Sequence, residues 1–327
     1  MTHTFSSILG NDGLKASLGR AIANSRTSHA YLITGDFGSG KKLIAYTLAK
    51  TLNCESENKP CGVCQSCVYF EAGSHPDIAT LAPEKNKTIG VDEIRDRINS
   101  EIAIKPYIFK HKIFIVESAD AMTPQAQNAL LKTLESPASY GVIILTAENA
   151  DALLETIISR CVVLRTEQVK LADMMSYAAA NLSIPADTAR FMSLYSGGSI
   201  GRLKQISGDE NFLSLRSFTI DILNGIDRKS PAKLLTTAKS FDEIKENIGD
   251  FFDIALMWYR DIAVLIETGD ESLVMQPDIL ELLRDNIHIG LEAACRGIDA
   301  VTDTRNKLKH NANFQLSVDV LLLTLAR

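Results

Sequence analysis

A chain of 327 residues is longer than one hydrophobic core usually sustains, so two or three domains are expected. A net charge of −6 excludes a surface built throughout to hold nucleic acid, and 46% hydrophobic with 23% charged residues is the composition of an ordinary soluble protein. The longest apolar runs, KIFIV and GVIILT, fall far short of the roughly 20 residues that span a bilayer, and MTHTFSSILG lacks the basic start and apolar core of a secretory signal. No membrane partner is expected, and the cytoplasm is the expected compartment.

In chain order, the β-branched runs AYLIT (30–34), DIATL (77–81), KIFIV (112–116), VIILT (142–146) and VVL (162–164) predict short strands. Between them, apolar residues fall at helical spacing over 41–52, 91–101 and 124–134. Near-continuous apolar strands alternating with helices predict an α/β domain with a parallel sheet covered on both faces, over residues 1–165. Beyond it the strand signals stop and the remainder reads as all-α. A small helical domain is placed at 166–208, closing with the turn SGGSIG and its helix, and a larger helical domain at 209–327. Within the latter, 250–265 and 314–325 carry wide apolar faces that need partner helices.

AYLIT, GDFGSGKK and LIAYTLAK follow one another as strand, glycine loop and helix. Seven residues of the loop fit the phosphate-binding pattern GxxxxGK[ST], with Gly35, Gly38 and Gly40 freeing the backbone to turn N–H groups inward and Lys41 reaching toward β- and γ-phosphates. A glycine-rich turn with a chance lysine is the plain alternative. The eighth position, where a hydroxyl would meet a magnesium ion, is Lys42. The strand that should end in an acidic pair reads KIFIVESAD, so Glu117 and Ser118 stand where Asp-Glu is usual. Glu117 is one methylene longer than aspartate and still has an oxygen to offer, whereas Ser118 cannot act as a carboxylate base. Two such departures on one reaction centre predict ATP hydrolysis that is very slow or absent, with magnesium doubtful and ATP or ADP binding a separate question.

NCESENKPCGVCQSC places Cys54, Cys61, Cys64 and Cys67 where four thiolates can close a tetrahedron around a structural zinc ion. Iron–sulfur ligation and unrelated free thiols are the alternatives. His75, in GSHPD, is read as a turn or packing histidine, because the cysteine set is already complete.

SHAYLITGDFGSGKK, the CxxCxxC insertion, GSHPDI, AMTPQAQNALLKTLESP, ILTAEN and IISRC occur in an order that resembles the AAA+ clamp loaders of DNA replication, over residues 5–208. The helical remainder is similar mainly in length and position. The resemblance implies an AAA+ P-loop domain, a small helical lid and a C-terminal collar that joins subunits. It implies that Arg160 of SRC completes the ATP site of an adjacent motor subunit, that Thr146 is the polar contact of the sensor 1 region, and that Arg202 occupies the sensor 2 position. The partners implied are gamma/tau and delta subunits in a heteropentamer, with the sliding clamp and primer-template DNA met through the complex. Motor subunits of that family carry GKT or GKS and a DE pair. Lys42, Glu117 and Ser118 therefore point to a stator that lends Arg160, within a DNA polymerase III holoenzyme, and does not fire itself. The alternatives are an active gamma/tau-like ATPase and a phosphate-loop protein unrelated to replication.

Overall fold

A computed structural model of the chain describes residues 3–84, 87–182 and 184–326. Two compact units are present, Met1–Asp173 with Gly198–Gly201 and Met174–Gly197 with Arg202–Arg327.

The first unit runs α1 (Asp12–Ala23), β1 (Ala30–Thr34), α2 (Lys41–Leu52), α3 (Gln65–Glu71), β2 (Ile78–Leu81), α4 (Val91–Ile94), α5 (Ser100–Ile102), β3 (Lys112–Val116), α6 (Pro124–Glu135), β4 (Gly141–Ala147), α7 (Glu155–Ile158) and β5 (Val162–Arg165). All five strands are parallel, in the order β2-β3-β4-β1-β5. The three inner strands are buried along their whole length, whereas edge strands β2 and β5 keep exposed positions.

Because successive strand side chains point to opposite faces, the apolar runs feed two cores. Leu32, Phe114, Val116, Ile143 and Leu145 meet Leu130 and Leu134 of α6 on one face. On the other, Tyr31, Ile33, Ile113, Ile115 and Ile144 meet Ile44, Leu48 and Leu52 of α2 with Leu14 and Leu18 of α1. α6 starts where Thr123 accepts the Ala126 N–H at 3.2 Å and Pro124 fills the first helical position. The predicted helix over 91–101 differs in detail, since a π-helical turn, Arg95–Asn99, separates α4 from α5. Asn99 there donates to the Ala129 carbonyl and accepts from Thr133, both on α6.

The second unit takes in most of α8 (Leu171–Asn181), α9 (Ala186–Tyr195) and most of α10 (Ile200–Ser207), then α11 (Glu210–Leu223), α12 (Pro231–Ala238), α13 (Ile248–Thr268), α14 (Leu280–Asn286), α15 (Leu291–Lys309) and α16 (Phe314–Leu325). Its core gathers around α13, where Phe251, Phe252, Trp258 and Ile262 pack with Leu223, Val301, Val318 and Leu322. Arg216 of α11 stacks 3.7 Å over the Phe191 ring and pairs with Asp278 at 2.6 Å, which ties α9 and α11 to the segment before α14. No described helix is long and apolar enough to cross a membrane.

Candidate functional site

The glycine loop leaves β1 at Thr34 and enters α2 at Lys41. Gly38 and Gly40 hold positive φ angles of 72° and 92°, the left-handed region that glycine enters without strain. Neighbouring backbone presses on the loop. The Ser199 hydroxyl donates to the Phe37 carbonyl at 2.8 Å, and the Gly201 N–H donates to the Gly38 carbonyl at 3.0 Å. A Cβ at Gly201 would lie 2.5 Å from the Gly38 Cα, so that approach requires glycine. The stretch Gly198–Gly201 thus serves as a seat for the loop.

Lys41 is largely buried, and its Nζ donates to the carbonyls of Gly35 at 2.6 Å and Asp36 at 2.7 Å. Burial pushes its pKa down, against the opposing pull of Glu148, Asp120 and Asp36. Beside it lies a cavity of about 340 Å³ lined by Gly38, Gly40, Lys41, Lys42, Ser118 and Thr146, together with Phe37, Ala147 and Glu148. Residues spread over more than a hundred positions of sequence therefore converge on one space.

Glu117 follows the carboxyl end of β3 and is only 8% exposed. Its Oε1 accepts the Tyr46 hydroxyl at 2.8 Å, and its Oε2 meets the Lys42 Nζ at 2.5 Å. Ser118 adopts a left-handed backbone, φ 50° and ψ 54°, an uncommon state for a non-glycine residue. Its N–H donates to the Thr146 hydroxyl at 3.2 Å, which locks the ends of β3 and β4 together beside the cavity.

Arg160 is not among the cavity-lining residues. It stands between α7 and β5, paired with Glu135 at 2.8 Å and donating to the Thr156 carbonyl at 2.8 Å. Arg202 belongs to the second unit, where Asp250 and Asp253 each lie 3.7 Å away and its guanidinium sits 4.8 Å from the Tyr195 ring centre.

The four cysteines form a second cluster, with sulfurs all within 4.8 Å of one another. Cys54 follows α2, Cys64 caps α3 and Cys67 lies within it. The Cys61 N–H donates to the Cys54 sulfur and the Cys64 N–H to the Cys61 sulfur, each at 3.3 Å. Backbone donors at Val63 and Cys64 draw the Cys61 thiol down to about 6. Burial, reinforced by Cys64 and Cys54, pushes Cys67 up to about 12. Four convergent soft donors fit a zinc ion.

A charged tie braces this insertion. Lys50 of α2, almost wholly buried, pairs with Glu71 of α3 at 2.5 Å. Burial alone would raise the Glu71 carboxyl, but hydrogen bonds from Lys50 and His3 hold it at about 2. His75 is buried and accepts the Asp77 N–H on Nδ1, which leaves Nε2 to carry the proton toward Ser66. It is a packing histidine, as the sequence led one to expect.

Tyr46, Glu148 and Ser199 were not singled out in the sequence. Tyr46 sits one helical turn beyond Lys42, so the helical spacing was its only available signal. Nothing local marks Ser199 as a partner of the loop.

A parallel sheet in this strand order, with a phosphate loop after β1 and a carboxylate after β3, defines an AAA+ P-loop domain, here joined to all-α structure. The family described as "DNA polymerase III, delta subunit" matches residues 10–170. DNA polymerase III subunit delta′ of Bacillus subtilis is 27% identical over 314 residues, covering 93% of each chain. The delta′ subunit of Haemophilus influenzae is 42% identical over 134 residues, 41% of each chain. Subunit tau of Bacillus subtilis is 28% identical over 297 residues, which is 86% of this chain and 48% of that one. Over most of its length the chain is thus similar to delta′ subunits of DNA polymerase III.

Proposed function

We infer that the chain is a delta-prime-like stator of a bacterial clamp loader, which supports ATP-driven loading of a sliding clamp onto primed DNA without hydrolysing ATP itself. The observation that carries this reading is the Lys42–Glu117 ion pair. In a hydrolysing P-loop site a hydroxyl and a carboxylate hold magnesium, and a further group orients the attacking water. Here an ammonium stands in the hydroxyl's place and engages the carboxylate, and Ser118 brings no second carboxylate. The partners proposed are gamma/tau and delta subunits in a heteropentamer working in the cytoplasm, with residues 166–208 as lid and 209–327 as collar. Arg202 is assigned to the sensor 2 position, Thr146 to sensor 1, and the cysteine cluster to a structural zinc ion.

Arg160 is assigned as the finger supplied to the neighbouring motor subunit. Such a finger is worth about 10³ to 10⁵ in rate. In the reconstituted complex, Arg160→Ala is expected to leave assembly intact and to lower ATPase and clamp loading steeply. Unchanged rates would refute the role in trans. Sustained ATP turnover by the purified chain, abolished by Lys41→Ala, would instead support the gamma/tau-like ATPase.

A further inference from the structure

We propose that the phosphate loop holds a nucleoside polyphosphate without a divalent cation, the Lys42 ammonium taking the cation's place. This rests on the reading of the chain as a subunit that does not hydrolyse ATP itself, and it does not depend on Arg160.

The charges at the cavity carry the inference. Lys41 and Lys42 are adjacent and both line it, so two ammonium-bearing side chains share one cavity of about 340 Å³. Lys42 enters from the first turn of α2, the position from which a hydroxyl would contact a metal. Its Nζ lies 2.5 Å from the Glu117 Oε2, while the Tyr46 hydroxyl lies 2.8 Å from the other oxygen. Both oxygens of this buried carboxylate are thus engaged by hydrogen-bond donors. A divalent ion brought to Glu117 would have to displace an ammonium or share its space, and like charges that close repel each other. Lys42 is otherwise extended toward solvent, its side chain 60% exposed, so it reaches the carboxylate without burying its stem. One cation anchored on Glu117 is therefore held at the cavity, where it would meet bound phosphates in the place of a metal.

The test is a titration of the full chain with a fluorescent ribose-labelled ADP, followed by anisotropy in EDTA and in magnesium. The dissociation constant is expected to agree between the two conditions within about twofold. Lys42→Thr restores the hydroxyl, so its binding is expected to weaken at least about tenfold in EDTA and to recover in magnesium. Lys42→Met supplies neither charge nor hydroxyl and is expected to bind weakly in both, with thermal melts establishing that the variants fold. Wild-type binding that requires magnesium would overturn the proposal. So would a Lys42→Thr variant that binds in EDTA as well as the wild type. Absence of ADP binding in either condition would also overturn it, and would leave the proposed role of Arg160 standing.

Discussion

Asp77 carries more of the local structure than its place at a strand end indicated. Its carboxylate is almost fully buried and accepts three backbone N–H groups, from Tyr107 at 2.5 Å, Ile108 at 3.0 Å and Phe109 at 2.9 Å. Burial alone would raise its pKa, but the three donors hold it below the usual value of 3.8. A depressed folded-state pKa means a contribution complete above the unfolded value and lost as pH falls through the folded one. Asp77→Ala, which strands three donors, is expected to cost about 3 kcal/mol in urea denaturation at neutral pH. The gap from wild type should narrow once the pH drops below 3.8. A gap that stayed constant with pH would show that ionisation of Asp77 is irrelevant. At this scale the sequence was informative wherever spacing along one element decides the outcome. Lys41, Lys42, Ser118 and Thr146 line one cavity and Glu117 adjoins it through its pair with Lys42, whereas the Tyr46 contact with Glu117 spans 71 positions and leaves no local trace.

Elements were legible to the extent that their periodicity was strong. Each predicted strand lies within a residue of its observed bounds, and for the three inner strands burial on both faces explains why, since it demands a continuously apolar run. The π-helical turn at Arg95–Asn99 was not legible, since one extra residue per turn barely disturbs a helical pattern. Helix pairing in the second unit was also invisible, and Gly297 shows why. A Cβ there would lie 2.7 Å from the Tyr259 ring, so this glycine brings α15 against α13, yet in the sequence it looks like an ordinary helix weakness. Helix propensity favours alanine over glycine by about 1 kcal/mol, while overpacking a core costs about 1 to 3 kcal/mol. Gly297→Ala is therefore expected to destabilise. Gly19→Ala in α1, where an added Cβ meets nothing within 4 Å, is expected to stabilise by up to about 1 kcal/mol. Calorimetric melting of both variants tests the contrast, which fails if the two shift in the same direction.

On the scale of the whole molecule, the buried apolar residues among those described gather in three clusters. One gathers around α13, and two others flank the sheet. Metal removal should respect that division. Elemental analysis is expected to find about one zinc per chain, and chelation should raise hydrogen exchange over residues 54–71 while amides of α13 keep their protection. Iron in place of zinc, or protection lost equally in both units, would count against a local structural site. Both halves were read correctly in class, α/β then all-α. What the sequence did not disclose is that Gly198–Gly201 belongs with the first unit, because that grouping is made by hydrogen bonds to residues more than 160 positions upstream.

Helix α2 begins with the two lysines of the phosphate loop and ends two residues before the first cysteine of the cluster. Its 12 residues make a rod of about 18 Å, with Tyr46 and Lys50 bonded along its length to Glu117 and Glu71. Loop and thiol cage are thus mounted on one shaft whose phase is set by residue count. Inserting a single residue in its middle would turn one end against the other by about 100°, so this spacing tolerates substitution far better than it tolerates a change of length.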